Sequence, residues 1–253
     1  MPTPLVPLTR WPGPATTGVP ANTTLTSSGS LDLRRDGQVV TNLNITGRVS
    51  VYARNVTIRR SRIISDGPAF PIRTFDSAVN LVIEDVEIDG RGRPPAGVCF
   101  DDYTLRRVNL HHVPEGIWLG SRTNVLDSWI HDLVRIPASH NDCARVAGAT
   151  DVVLRHNRLD AYRPSTSETM NSCLTLGTAV RNLRFEENYC NGGAYTIGIR
   201  PDLIASAVVF RHNVFGRNYR YGIIGRPAHP GVTWEPSNVW FDNGHPVLAS
   251  GQG

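Results

Sequence analysis

Between residues 139 and 145 the chain reads Ser-His-Asn-Asp-Cys-Ala-Arg, bringing an imidazole, a carboxylate and a guanidinium together. His140 and Asp142 at this spacing can act as an acid/base pair near neutral pH. Arg145 can hold a substrate carboxylate with two parallel hydrogen bonds. The alternative is that Asp142 caps a strand turn and His140 bonds to backbone. Around this segment two long stretches, 131–142 and 160–172, carry His131, Asp132, Arg135, Tyr162, Arg163 and Glu168. Long non-repeating stretches of this kind usually gather on one binding face.

The elements that must position these groups come from a short phrase that recurs along most of the chain. Its clearest copies run from Asn55 to Ile63 and from Asn80 to Ile88, with others starting at Tyr103, Thr123, Asp151, Asn182, Ala207 and Asn238. Aligning one apolar residue from each gives Ile58, Ile83, Leu105, Val125, Leu154, Phe185, Phe210 and Phe241. The intervals are about 20 to 31 residues, a period that means stacked supersecondary units. Each repeat also carries a second strand-like segment, such as Gly116–Leu119 or Cys173–Leu176. Within strands the apolar residues alternate, and Gly, Asn, Asp, Ser and Pro separate them. With 18 prolines and 23 glycines scattered throughout, long helices have little room.

The reading is an all-β, single-domain, right-handed parallel β-helix of about eight or more coils. Its expected limits are a lead-in cap over 1–36, the solenoid over 37–248 and a tail over 249–253. Stacked coils place like on like, so Asn157, Asn188 and Asn213 should form an asparagine ladder that satisfies turn backbone.

The same stacking sorts the candidates into columns. Aligning Ala144 with Ile117 and Leu174 sets Glu115 opposite Asp142, with Ser172 on the other side, and sets Trp118 opposite Arg145. Carboxylates one coil apart suit the roughly 5 Å separation of a retaining glycosidase. A second column holds Asp89, His111, His131, Asp160 and Asn191. Its paired imidazoles can serve as base and acid or hold a metal; the alternative is a ladder of satisfied turn groups. Trp118, Tyr162, Tyr195 and Tyr221 are outward aromatics able to stack on sugar rings, whereas Trp11, Trp129, Trp234 and Trp240 read as core or end-cap packing.

The opening Trp11–Leu25, the coil phrases, His140-Asn-Asp142 and the closing Ser237–Gly244 together resemble secreted bacterial parallel β-helix proteins of the pectate-lyase-like superfamily. In that family the central segment commonly reads His-x-Asp-Gly with a glutamine two residues on. Cys143 stands here in place of the glycine and Arg145 in place of the glutamine. The resemblance implies action on, or binding to, polysaccharide, and an extracellular location. The leading expectation is a polysaccharide lyase working by β-elimination on an acidic glycan, because histidine and arginine dominate the candidates. Asp142, His140, His131, Arg145 and Glu115 would be catalytic; Arg135, Trp118, His111, Tyr162, Glu168 and Tyr195 would bind substrate. The alternatives are a glycoside hydrolase using Asp142 with Glu115 or Glu168, and a non-catalytic carbohydrate-binding module.

Bulk properties narrow the partners. All 26 basic residues are arginine, so no lysine can act as base or Schiff-base former. The net charge of +4 favours anionic ligands mildly. No basic run or motif points to nucleic acid, and no apolar run is long enough to span a membrane. A monomer without cofactor is expected, since a calcium site needs several clustered carboxylates and none assembles. Cys99, Cys143, Cys173 and Cys190 lack zinc spacing. Cys143 and Cys173 should fall on adjacent coils, within the reach of a disulfide, with buried free thiols the equal alternative.

Overall fold

The computed structural model describes residues 7–136, 139–226 and 229–248. The chain is an all-β parallel solenoid. Each coil has three strands rather than the two expected, and the strands stack into three walls. The first wall includes Glu87–Asp89, Asn109–His111, Trp129–His131 and Arg158–Arg163; the second includes Ala96–Phe100, Glu115–Leu119 and the start of Asp142–Arg155. The third holds Leu81–Glu84, Tyr103–Arg106 and Thr123–Leu126. Walls two and three merge where Asp142–Arg155 and Ser172–Glu186 run through both without a break.

The recurring phrase therefore spans two walls. A left-handed residue bends it after the third-wall strand: Arg60, Asp85, Arg107, Asp127, His156, Glu187 and His212 all have φ between 45° and 61°. The apolar phase slips at the bend. Ile83 faces inward, and the next buried residues are Val86 and Ile88, three and then two positions on. The slip is the sequence trace of the corner.

Stacking is in register. Ile58, Ile83, Leu105, Val125, Leu154, Phe185 and Phe210 form one continuous inward ladder, and every one is completely buried. Burying each such side chain is worth about 1.5–3 kcal/mol. The expected eighth rung, Phe241, is corrected: Trp234 stacks on Phe210 instead. Asn238 is a corner residue, so the Val239–Trp240 strand after it belongs to the first wall, on Val214 and Phe215.

The corner asparagines form the expected ladder, which also takes in Asn238. Asn157 Nδ2 donates to Asn188 Oδ1 (2.9 Å), Asn188 Nδ2 to Asn213 Oδ1 (3.2 Å) and Asn213 Nδ2 to Asn238 Oδ1 (2.8 Å). Backbone N–H groups of the same residues donate to the same oxygens. Lower in the stack Ser128 takes the corner position, its N–H on Asn157 Oδ1. Buried backbone polar groups are thus paired where the chain turns inside the stack.

The lead-in does not cap an end, and the solenoid begins before residue 37. Thr26–Ser28 and Leu31–Leu33 already stack on Leu43–Thr46 and Val49–Val51. Ahead of them the chain lies along the flank as a strap. Trp11 packs on Tyr189 and Phe241 and donates from Nε1 to Glu187 O (3.0 Å), while Gly18 N–H bonds Arg107 O (2.9 Å). The expected tail, 249–253, lies outside the described residues. All four cysteines are free and buried. Burial pushes the Cys143 and Cys190 thiols up, which keeps them protonated.

Candidate functional site

The two long stretches singled out in the sequence both leave the first wall and enter the second, so they share one corner. Residues 132–141 form one of them. The other is an antiparallel hairpin in which Tyr162 pairs with Thr169 and Arg163 with Glu168. The two loops are tied together: Arg135 Nε meets Glu168 Oε1 at 2.6 Å and its Nη2 donates to Thr169 O at 2.8 Å. Arg135 and Glu168 therefore satisfy each other, and Tyr162 is part of the hairpin's pairing. Asn141 pins the first loop from within by donating to Pro114 O, Val134 O and Ser139 Oγ. It takes the structural role that sequence assigned to its neighbours.

Past the corner, the second wall brings Glu115 and Asp142 onto adjacent coils, as the alignment required, and Ser172 and Tyr195 continue that column. Both acids are buried, Glu115 at 6% exposure and Asp142 at 1%. Glu115 Oε2 accepts from Trp118 Nε1 at 2.6 Å and lies 3.6 Å from Arg145 Nη1. Burial nonetheless pushes the Glu115 carboxyl above its usual range, against the indole hydrogen bond and the charges of Arg145 and His140. Among the described residues neither oxygen of Asp142 has a hydrogen-bond partner, although the hydroxyls of Thr175 and Ser172 are close. Burial raises its carboxyl to about 7, and the Glu115 charge adds to the rise. Side by side in a dry site, two carboxyls favour holding a proton at neutral pH.

Further along the same second-wall strands, Trp118 and Arg145 are register neighbours that line a groove of about 340 Å³ with Phe100, Asp101 and Gly120. Phe100 and Asp101 also line an adjoining hollow of about 390 Å³, which reaches Arg73 and Phe75. Phe70, Phe100 and Trp118 pack edge to face at 5.1–6.3 Å. Arg73 lies over the Phe75 and Phe100 rings, and Arg145 faces Trp118 at 6.0 Å. The Phe100 backbone is strained, with φ of 126°, a geometry costing about 1–3 kcal/mol that tends to mark functional positions. Gly120 permits it: a Cβ there would press on Asp101 Oδ1 and Phe100 O. Sequence reasoning missed Phe100 and Arg73. The signal was present, since Arg73, Cys99, Trp118 and Arg145 share one outward column.

His131 and His111 are corrected. They lie on the first wall, not with Asp142 on the second, because each phrase bends onto a separate first wall and the corner formed by 132–141 then lies between His131 and Asp142. Asp89, His111, His131, Asp160 and Asn191 do form the expected column there. His131 is committed: Nδ1 meets Asp132 Oδ2 at 2.7 Å, Nε2 meets Asn109 Oδ1 at 2.8 Å, and Trp129 stacks on the ring at 3.5 Å. Desolvation lowers its pKa against the pull of Asp132. Trp129 is accordingly an outward residue rather than core, its Nε1 donating to Asp160 (2.8 Å). Trp240 is core as expected, and Trp234 packs against Phe210 and Phe215. Below these, the Glu87 carboxyl is held down to about 2, chiefly by a hydrogen bond from His111 and also by Arg62. His140 is exposed near the end of the long loop, and Tyr195 packs at a tilt against Tyr221, with centroids 5.6 Å apart and planes at 44°.

Searches of family models, curated proteins and solved structures find no match to this chain.

Proposed function

We propose that this chain cleaves an acidic glycan lying along the second-wall groove, by hydrolysis, as in part of the pectate-lyase-like superfamily that it resembles. The observation that carries the reading is the buried pair Glu115 and Asp142 on adjacent coils, with Asp142 raised to about 7 and Glu115 in contact with Trp118 and Arg145, which line the groove. A carboxyl still protonated at neutral pH is the group that can donate to a glycosidic oxygen. A carboxylate one coil away, roughly 5 Å, is spaced as the nucleophile of a retaining mechanism. Trp118 and Phe100 offer faces to sugar rings; Arg145 and Arg73 offer charge to uronate carboxylates. For the acids to meet substrate, Trp118 and Arg145 must release Glu115 toward the groove.

Elimination, favoured from sequence, is the second reading. Its support is His140, exposed two residues ahead of Asp142 and near enough to lower the Glu115 carboxyl. It ranks lower because His131 stands on another wall and Arg135 is bound to Glu168.

Incubation with a panel of uronic-acid and neutral glycans tests both, with reducing ends and ultraviolet absorbance of unsaturated products followed together. Hydrolysis gives reducing ends alone, and Asp142→Asn and Glu115→Gln each lower the rate by at least about 100-fold. Both signals together transfer the assignment to elimination. Binding without either signal makes the chain a carbohydrate-binding module.

A further inference from the structure

On the first wall, away from Glu115 and Asp142, three ligand atoms converge. Asp89 and His111 are register neighbours on adjacent coils. His112 follows in left-handed backbone, φ 53°, which turns its ring back beside that of His111, with centroids 4.6 Å apart and planes at 87°. His111 Nδ1 and His112 Nδ1 are 2.9 Å apart. Asp89 Oδ1 is 3.1 Å from His112 Nδ1 and 3.8 Å from His111 Nδ1. A tetrahedral ion with bonds of about 2.0–2.1 Å separates its ligands by about 3.3 Å, within the span of these three edges. From this geometry we infer that Asp89, His111 and His112 bind one zinc ion, with its remaining coordination position open to solvent.

The donor set and its surroundings both point this way. Two imidazoles and a carboxylate suit zinc among the divalent ions. Two Nδ1 atoms at 2.9 Å share one proton at most, whereas an ion engages both lone pairs and the carboxylate together. Glu87 Oε1 lies 3.4 Å from His111 Nε2, on the far side of that ring. A carboxylate there holds the proton on Nε2 and leaves Nδ1 free, the arrangement usual behind a metal-binding histidine. Arg62 Nε fixes Glu87 in turn at 2.7 Å. The backbone is pinned too: Gly90 N–H bonds His111 O (3.0 Å), and a Cβ at Gly90 would press on Val113 Cγ1 and His112 O. Asp89 Oδ1 also accepts the Arg91 N–H at 3.0 Å, which leaves it a lone pair for the ion. The His112 side chain is 47% exposed, so the ion can enter from water.

The site is distinct from the glycan groove, so its test is independent of that reading. Zinc is titrated calorimetrically into the chelator-treated protein, and thermal melts are followed with and without the metal. The inference predicts one strong equivalent and a rise in melting temperature. His112→Ala and His111→Ala each abolish that equivalent, and Glu87→Gln weakens it about 10- to 100-fold. Cobalt in place of zinc gives the intense visible bands of a four-coordinate ion, lost in His112→Ala. His112 is exposed, so its alanine variant keeps the fold, checked by far-ultraviolet circular dichroism. No strong equivalent in the wild type overturns the inference. So does binding that survives both histidine substitutions, as would follow if the buried thiols of Cys143, Cys173 and Cys190 held the metal.

Discussion

Replacing Asp142 by asparagine should stabilise this protein, and do so more as pH rises. The carboxyl moves from its ordinary 3.8 to about 7 on folding, chiefly through burial. Between those values the native state keeps a proton that the unfolded chain releases, so wild-type stability falls as pH climbs. The stability tied to the protonated acid is complete below about 4 and gone above about 7. At about 1.4 kcal/mol per pH unit over about three units, the loss approaches 4 kcal/mol. Asp142 is 1% exposed, so solvent screening takes little from this figure, though relaxation of Glu115 once its neighbour is neutral reduces it. Asparagine has nearly the same shape and no charge to desolvate. Urea denaturation of both proteins from pH 4 to 8 measures the effect. The difference in unfolding free energy should grow by several kcal/mol in favour of the variant and level off above about pH 7. Asp160, another buried acid raised to about 6, is present in both proteins and cancels. A gap independent of pH, or a variant increasingly unstable at high pH, would refute the reasoning. Asp142 would then be ionised in the native state and held by Thr175, Ser172 or Arg145.

Three other perturbations have expected outcomes. Asn188→Ala removes hydrogen bonds to Asn157, Asn213 and Leu154 O from a fully buried site, and should cost about 3 kcal/mol or more by urea denaturation. Trp11→Ala should free the strap from Tyr189 and Phe241, seen as rapid cleavage near residues 11–20 in limited proteolysis while the solenoid stays resistant. Arg135→Ala breaks a pair whose side chains are 43% and 32% exposed, so global stability should change by less than about 1 kcal/mol. Amide exchange in residues 132–136 should quicken nonetheless, because the tie to the 164–171 hairpin is lost.

What the sequence disclosed and what it hid have one physical origin. A parallel solenoid repeats its contacts along the stack, so any column aligned by apolar anchors comes out right within its own wall. The ladder from Ile58 to Phe210, the asparagines at the corner, Glu115 opposite Asp142 and Trp118 opposite Arg145 were all legible that way. Position around the coil is different information, because it depends on where the backbone bends. The bends here use Arg, Asp, His and Glu in left-handed conformation rather than glycine or a conspicuous turn pair. Two strands joined by such a bend look like one alternating strand, so each repeat reads as two walls where there are three, and His131 falls on a first wall that the 132–141 corner separates from Asp142. The trace left behind is the step of three between inward residues, Ile83 to Val86 or Leu105 to Val108, where an unbroken strand would step by two. Counting that step separates the third wall from the first in the sequence. The carboxyl pair is parted from the first-wall histidines at the other corner, which the long 132–141 connection marks. A separate left-handed residue at the next corner, His112 itself at the end of the first-wall strand, folds that ring back onto His111.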